Sequence, residues 1–132
     1  MRRLSSILVL SALGLTACTA LGGGAPQTVQ VSLVDYAISP ATTTVKAGQI
    51  TFVVTNNGQE DHELEVSSRS GREIPDDASL GEVEDLGPRE SKSFTVSLTP
   101  GTYELACRLQ DTKATPPFNH YDRGMHLMFT VQ

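Results

Sequence analysis

Short runs in which apolar and polar residues alternate are the feature that most limits how this chain can fold. A period of two places successive side chains on opposite faces of a β-strand, so each run predicts a half-buried strand. Turn signals such as Asn56-Asn57-Gly58 and Thr99-Pro100-Gly101 separate the runs. We therefore predict an all-β Greek-key sandwich of about seven strands. The predicted strands cover residues 29–34, 43–46, 49–56, 62–66, 93–98, 103–107 and 126–131.

The pattern also predicts where the strands stop and which side chains face solvent. Ser39-Pro40 is expected to break the first strand, and residues 67–90 read as a long polar stretch with little periodicity. The alternation after His62 places Glu63 and Glu65 on the solvent side. Four apolar residues are the plausible buried anchors of the polar stretch: Ile74, Leu80, Val83 and Leu86.

The N-terminus reads as an export signal. Arg2 and Arg3 precede an apolar run from Leu4 to Leu15, which is too short to cross a bilayer as a stable helix. The residues Leu15-Thr16-Ala17-Cys18 resemble a bacterial lipobox, which implies cleavage before Cys18 and lipid attachment to its sulfur. An ordinary cleavage site that leaves Cys18 free is the alternative. We predict a signal peptide at 1–17, a glycine-containing tether at 18–28 and a folded domain at 29–132, held at the extracytoplasmic face of a membrane.

The charge of the chain limits its partners. Removal of the two signal-peptide arginines changes the formal net charge from −5 to −7. Nucleic acid and anionic lipid headgroups would repel such a chain, so membrane attachment would depend on the acyl chains.

Four potential metal donors occupy positions that converge in a sandwich. Cys107 ends one strand in the core-facing register, His62 begins another, and His120 and Met125 precede the last strand. Strand ends meet at one pole, which would bring together a thiolate, two imidazoles and a thioether. This donor set suits copper. Each residue also has a structural alternative: Cys107 and Met125 as core, and the histidines as turn or loop residues.

The segments VKAGQITFVVTNNGQEDHEL, LTPGTYELAC and NHYDRGM resemble those of cupredoxins, over residues 29–131. The resemblance implies one mononuclear type 1 copper ion, with His62, Cys107 and His120 as equatorial ligands and Met125 as the axial ligand. It implies a monomeric one-electron carrier, not an enzyme, with a redox protein such as a cytochrome or oxidase as partner. His126 and Met128 are expected at the surface.

The spacing departs from the family in one place. Twelve residues, RLQDTKATPPFN, separate Cys107 from His120, where cupredoxins usually have a few. The insertion either folds out as a small lobe or widens the ligand loop. Within it, Phe118 forms either an apolar rim at the site or ordinary loop packing.

Three other functions stay open from the sequence. A widened loop would suit copper storage or delivery, an open coordination position would suit a small enzyme or sensor, and a metal-free domain would be purely structural. Six of the acids in the polar stretch either dock a basic partner or keep the protein soluble: Glu73, Asp76, Asp77, Glu82, Glu84 and Asp85.

Overall fold

The computed structural model describes residues 25–132, so the predicted signal peptide, Cys18 and most of the tether lie outside the described residues. The described chain forms eleven strands and two single-turn 3₁₀ helices, Asp76–Ala78 and Tyr121–Arg123. No helix in this part of the chain is long and apolar enough to cross a membrane. The strands are β1 (Gln27–Val34), β2 (Ala37–Pro40), β3 (Thr44–Val45), β4 (Gly48–Asn56), β5 (His62–Ser67), β6 (Ser79–Leu86), β7 (Ser91–Leu98), β8 (Gly101–Ala106), β9 (Gln110–Asp111), β10 (Phe118–Asn119) and β11 (His126–Val131).

The long strands form two mixed sheets that pack as a sandwich. One sheet has the order β2-β1-β4-β7 and the other β3-β11-β8-β5-β6. β1 runs parallel to β4 and β11 parallel to β3, while the other pairs are antiparallel. β9 and β10 form a separate two-stranded hairpin. The all-β sandwich is confirmed, and β2, β6, β9 and β10 are the strands that the alternation did not predict.

The core lies between the two sheets, where the alternating apolar residues meet. Val29, Val31 and Leu33 of β1 are buried as predicted. Across the interface, Phe52 of β4 contacts Phe129 of β11 edge-on, with ring centroids 5.4 Å apart. Each such side chain contributes roughly 1.5–3 kcal/mol when fully buried. Contact between the apolar inner faces of the two sheets therefore stabilises the sandwich.

The prediction that Ser39-Pro40 breaks the first strand is only partly right. The chain turns at Asp35 and Tyr36, and Ala37–Pro40 then pairs with β1 as an edge strand. Proline is tolerated on an edge, where its missing N–H removes no necessary hydrogen bond. Pro40 is therefore the last residue of β2, whereas β1 already ends at Val34.

Residues 67–90 are not structureless, because they contain β6. Val83 and Leu86 are buried as predicted, whereas Leu80 is exposed. Two register shifts interrupt the pairing with β5, and Asp85 has a left-handed φ of 49°. Such irregularities break the period of two, so that two buried residues lie three positions apart. The six acidic residues considered for docking, from Glu73 to Asp85, are all exposed.

The prediction that Glu65 faces solvent is wrong. Glu65 and Glu104 are buried on the outer face of the five-stranded sheet, where both carboxylates contact the Arg108 guanidinium. Arg108 Nε also donates a hydrogen bond to Gly71 O at 2.9 Å, from the segment that follows β5. That segment covers this part of the sheet. Alternation alone does not reveal such a cover.

Candidate metal centre

Three of the predicted donors meet at one end of the sandwich. His62 begins β5, Cys107 directly follows β8, and His120 directly follows β10. Their potential ligand atoms all lie within 4.8 Å of one another, and all three residues are buried. His62 Nδ1 lies 3.1 Å from His120 Nδ1, which lies 3.6 Å from Cys107 Sγ. One thiol and two imidazole nitrogens therefore converge on a single point.

Backbone hydrogen bonds hold the fourth predicted residue, Met125, next to the other donors. The Cys107 N–H donates to Met125 O at 2.9 Å, and the Met125 N–H donates to His120 O at 3.2 Å. Met125 is fully buried. Gly124 has a φ of 109°, which favours glycine and ends the 3₁₀ turn before the chain enters β11.

The twelve-residue insertion forms a hairpin and leaves the donors together. β9 and β10 pair through Phe118 with Asp111 and Asn119 with Gln110. At the base of the hairpin, the His120 N–H donates to Leu109 O at 2.9 Å. Of the two expectations for the insertion, a small lobe is the one that the structure shows.

Burial sets the protonation of the sulfur and of one imidazole. Burial raises the pKa of the Cys107 thiol to about 11, although the Glu63 N–H lies 3.5 Å from Sγ and favours the thiolate. Burial, with a smaller effect of His62, lowers the pKa of His120. The metal-free site therefore favours a neutral thiol and a neutral imidazole, and a cation that binds there must displace the thiol proton.

Sequence reasoning missed Asp35, which contacts His62 from the turn between β1 and β2. Its Oδ1 lies 3.2 Å from His62 Nε2 and accepts the N–H groups of Gln59 at 2.9 Å and Glu60 at 3.1 Å. Burial alone would raise the pKa of Asp35, but these N–H donors and His62 hold the pKa below its ordinary value. An aspartate in a turn is common, so no sequence pattern marked it.

Aromatic side chains shield His120. The Phe118 ring stacks on the imidazole with centroids 5.7 Å apart and planes 17° apart, and Tyr36 contacts it edge-on at 5.7 Å. The Arg123 guanidinium lies 3.8 Å from the centre of the Phe118 ring. Phe118 is only half-buried, so it both packs against the ligand loop and forms part of the surface around the site.

His120 also borders a surface depression of about 270 Å³. Three acidic residues, Glu60, Asp61 and Asp111, line it together with Lys113. Two of the aspartates in this region, Asp35 and Asp111, lie close enough to His120 to act on its pKa. The candidate centre therefore lies just beneath a surface with three acidic side chains and one basic one.

Residues 6–115, more than half of the chain, match the sequence profile described as the Cupredoxin-like domain. The chain belongs to this family. It is 32% identical over 108 residues to the iron uptake system component EfeO of Escherichia coli K12, which covers 82% of this chain and 27% of that protein. The cupredoxin-like chain thus spans about a quarter of the length of the curated relatives that it matches.

Solved structures share the fold. Auracyanin A of Chloroflexus aurantiacus, described as a blue copper protein, superposes with a TM-score of 0.63 at 15% identity, over 82% of this chain and all of that one. Auracyanin of Roseiflexus castenholzii superposes with a TM-score of 0.60 at 18% identity, over 84% of this chain and 99% of that one. These likenesses support the cupredoxin sandwich independently of close sequence similarity.

The donor chemistry of the centre fits a type 1 copper ion. One sulfur and two imidazole nitrogens, buried and convergent, are the donors that such an ion takes in a trigonal arrangement with a weak thioether. Both residues that were expected at the surface, His126 and Met128, are exposed. The predicted lipidation residue, Cys18, lies outside the described residues.

Proposed function

We propose that this chain is a copper-binding one-electron transfer protein that does not turn over a substrate. The observation that carries the proposal is the convergence of the His62, Cys107 and His120 donor atoms within 4.8 Å in a buried site. Copper bound there would supply a change of oxidation state by one electron. His62, Cys107 and His120 would hold the ion, with Met125 as a weak fourth ligand that leaves no open position for substrate.

Rigidity is the contribution of the fold to this function. His62 begins β5 and Cys107 directly follows β8, its paired neighbour in the same sheet, while the Met125 N–H donates a hydrogen bond to His120 O. An electron carrier benefits from donors that move little, because rearrangement on each change of charge slows the transfer. Burial by Phe118 and Tyr36 also keeps water away from the imidazole of His120.

The depression beside His120 is the proposed place of electron exchange with a partner. His120 is the one proposed ligand that borders it, and Nε2 of this residue forms no hydrogen bond with the described residues. The acidic lining favours a redox protein with a positively charged surface, because complementary charge speeds encounter. We further propose that a lipid on Cys18 tethers the domain to the extracytoplasmic face of the membrane.

Titration of the metal-free protein with Cu(II), followed by visible absorption and electron spin resonance, tests the copper site. We expect an intense thiolate-to-copper band that saturates at one equivalent and bleaches with ascorbate. Cys107→Ser should abolish the band. His126→Ala should leave it unchanged, because His126 is exposed and outside the cluster. A wild-type protein that binds copper with only pale colour would contradict the proposal.

A matched pair of methionine variants tests the fourth ligand. Met125→Leu should keep the band but alter its intensity and the spin-resonance spectrum, since a weak donor is lost. Met128→Leu changes the same chemical group at an exposed position and should alter neither. Identical spectra for Met125→Leu and the wild type would exclude the thioether as a ligand.

A second candidate function is metal binding and delivery within an uptake system. The observation that favours it is the 32% identity with a protein named as an iron uptake system component. Competition with chelators in both oxidation states separates the two functions. An electron carrier should retain its metal in both states, whereas a delivery protein should release it in one of them.

A further inference from the structure

Asp35 connects a turn of one sheet to a proposed metal ligand of the other. Its Oδ1 lies 3.2 Å from His62 Nε2, while Nδ1 of the same ring faces His120 and Cys107. The same oxygen accepts two backbone N–H groups, from Gln59 and Glu60, which precede His62 in the chain. The carboxylate is therefore fixed relative to the ligand by three contacts.

The close packing around Asp35 leaves little freedom for the pair. A Cβ atom added at Gly58 would lie 2.3 Å from Asp35 Oδ1 and 3.1 Å from His62 Nε2. Glycine is thus the residue that allows the backbone to approach both groups. The proximity of the carboxylate and the imidazole is consequently a property of the folded loop, and not of a freely rotating side chain.

We propose that Asp35 is a positioning residue that fixes the tautomer of His62 and biases the site toward the more highly charged oxidation state of its metal. The inference rests on the proposed function. A carboxylate that accepts the Nε2 proton leaves the Nδ1 lone pair directed at the cluster, and it raises the basicity of the ring. A fixed negative charge behind the ligand also stabilises a doubly charged ion more than a singly charged one.

The size of the charge effect follows from distance and exposure. The Asp35 carboxylate lies on the Nε2 side of the His62 ring, and the proposed ligand atom Nδ1 lies on the other side. The Asp35 side chain is 31% exposed, so solvent weakens the attraction between the carboxylate and a bound ion. We expect Asp35→Asn to lower the ratio of Cu(II) to Cu(I) affinity about tenfold, which raises the reduction potential by about 59 mV. Asparagine keeps an acceptor oxygen, so this variant removes the charge and retains the hydrogen bonds.

The experiment compares Asp35→Asn, Asp35→Ala and the control Glu60→Gln in two measurements. Glu60→Gln removes a neighbouring exposed carboxylate that has no side-chain contact with His62. The first measurement is nitrogen NMR of the His62 ring in the metal-free protein, which reports the tautomer without copper. The second is the reduction potential of the copper-loaded protein.

Support requires His62 to carry its proton on Nε2 in the wild type and in Asp35→Asn, and to lose this preference in Asp35→Ala. It also requires the ratio of Cu(II) to Cu(I) affinity to fall about tenfold in Asp35→Asn and to change much less in Glu60→Gln. An Nδ1-protonated ring in the wild type, or equal shifts in Asp35→Asn and Glu60→Gln, would overturn the inference while the copper site itself stands. A wild type that binds no copper would overturn the charge effect together with the proposed function, and the NMR result would still decide the tautomer.

Discussion

Replacement of Arg108 by methionine should destabilise this protein far more than an ordinary change at a surface strand. The guanidinium donates to Glu65 Oε2 at 2.5 Å, to Glu104 Oε2 at 2.6 Å and to Ser67 Oγ at 3.2 Å. The side chain of Arg108 is 10% exposed, that of Glu65 is 9% exposed and that of Glu104 is 2% exposed. Methionine has an unbranched apolar chain about as long as the arginine stem up to Nε, so the main change is the loss of the guanidinium with its charge and N–H donors.

The expected cost comes from the two carboxylates that remain. Removal of one partner from a buried ion pair typically costs about 3–5 kcal/mol, because the other charge stays buried without compensation. Here one cation serves two anions, so the free energy of unfolding should fall by at least about 3 kcal/mol. The free energy of unfolding of such domains is roughly 5–15 kcal/mol, so the variant should still fold but with a measurably lower free energy of unfolding.

Urea denaturation of the metal-free protein, followed by circular dichroism, measures this loss. The matched control is Arg108→Met combined with Glu65→Gln and Glu104→Gln, which removes all three charges and keeps one acceptor oxygen at each glutamate position. The triple variant should recover at least half of the lost free energy, because no uncompensated charge remains.

Two results would refute this reasoning. A loss below about 1 kcal/mol in Arg108→Met would mean that the cluster behaves as an exposed salt bridge. A triple variant no more stable than the single variant would mean that hydrogen-bond geometry, rather than charge, determines the cost.

Two further predictions concern the site. The pKa of Cys107 is about 11 in the folded state, higher than its ordinary value of 9.0. The neutral thiol therefore stabilises the fold fully below pH 9, and this contribution is lost as the pH rises through 11. Denaturation of the metal-free protein across this range should show a loss of about 2–3 kcal/mol that is absent from Cys107→Ser; parallel curves would contradict it. Gly58→Ala should lower stability by about 1–3 kcal/mol, since its Cβ would overlap Asp35. In thermal melts of both variants Gly101→Ala should change little, because an added Cβ would lie an ordinary 3.6 Å from the Tyr103 ring; equal losses would exclude steric overlap as the cause.

The parts of the fold that alternation predicted are those in which one sheet face is buried and the other is open. Val29 and Val31 in β1, Leu105 in β8 and Cys107 directly after it lie in the core as their period of two indicates. The metal donors were predictable for the same reason. His62 and Cys107 occupy the core-facing register at strand ends, where polar side chains need a functional or structural partner.

The missed features depend on contacts between segments distant in sequence. Glu65 and Glu104 alternate with core residues as solvent-facing residues do, yet Arg108 pairs with both carboxylates and the segment at Gly71 contacts Glu104 and Arg108. Asp35 likewise acquires its role only because the turn after β1 meets the loop before β5. Periodicity reports on one strand at a time, so it contains no information about either contact.

The insertion between Cys107 and His120 illustrates why ligand spacing in sequence is a weak guide to ligand spacing in space. Closing a longer loop costs little additional entropy, because the cost grows only with the logarithm of its length. The inserted residues also make their own contacts: Asp111 Oδ1 accepts the N–H groups of Lys113 and Ala114 at 2.9 and 3.0 Å, which fixes the turn of the hairpin. The hydrogen bond from the His120 N–H to Leu109 O fixes the base of the hairpin, and the bond from the Met125 N–H to His120 O joins His120 to the start of the last strand. In this chain the longer loop therefore leaves the donors together, because its two ends remain paired.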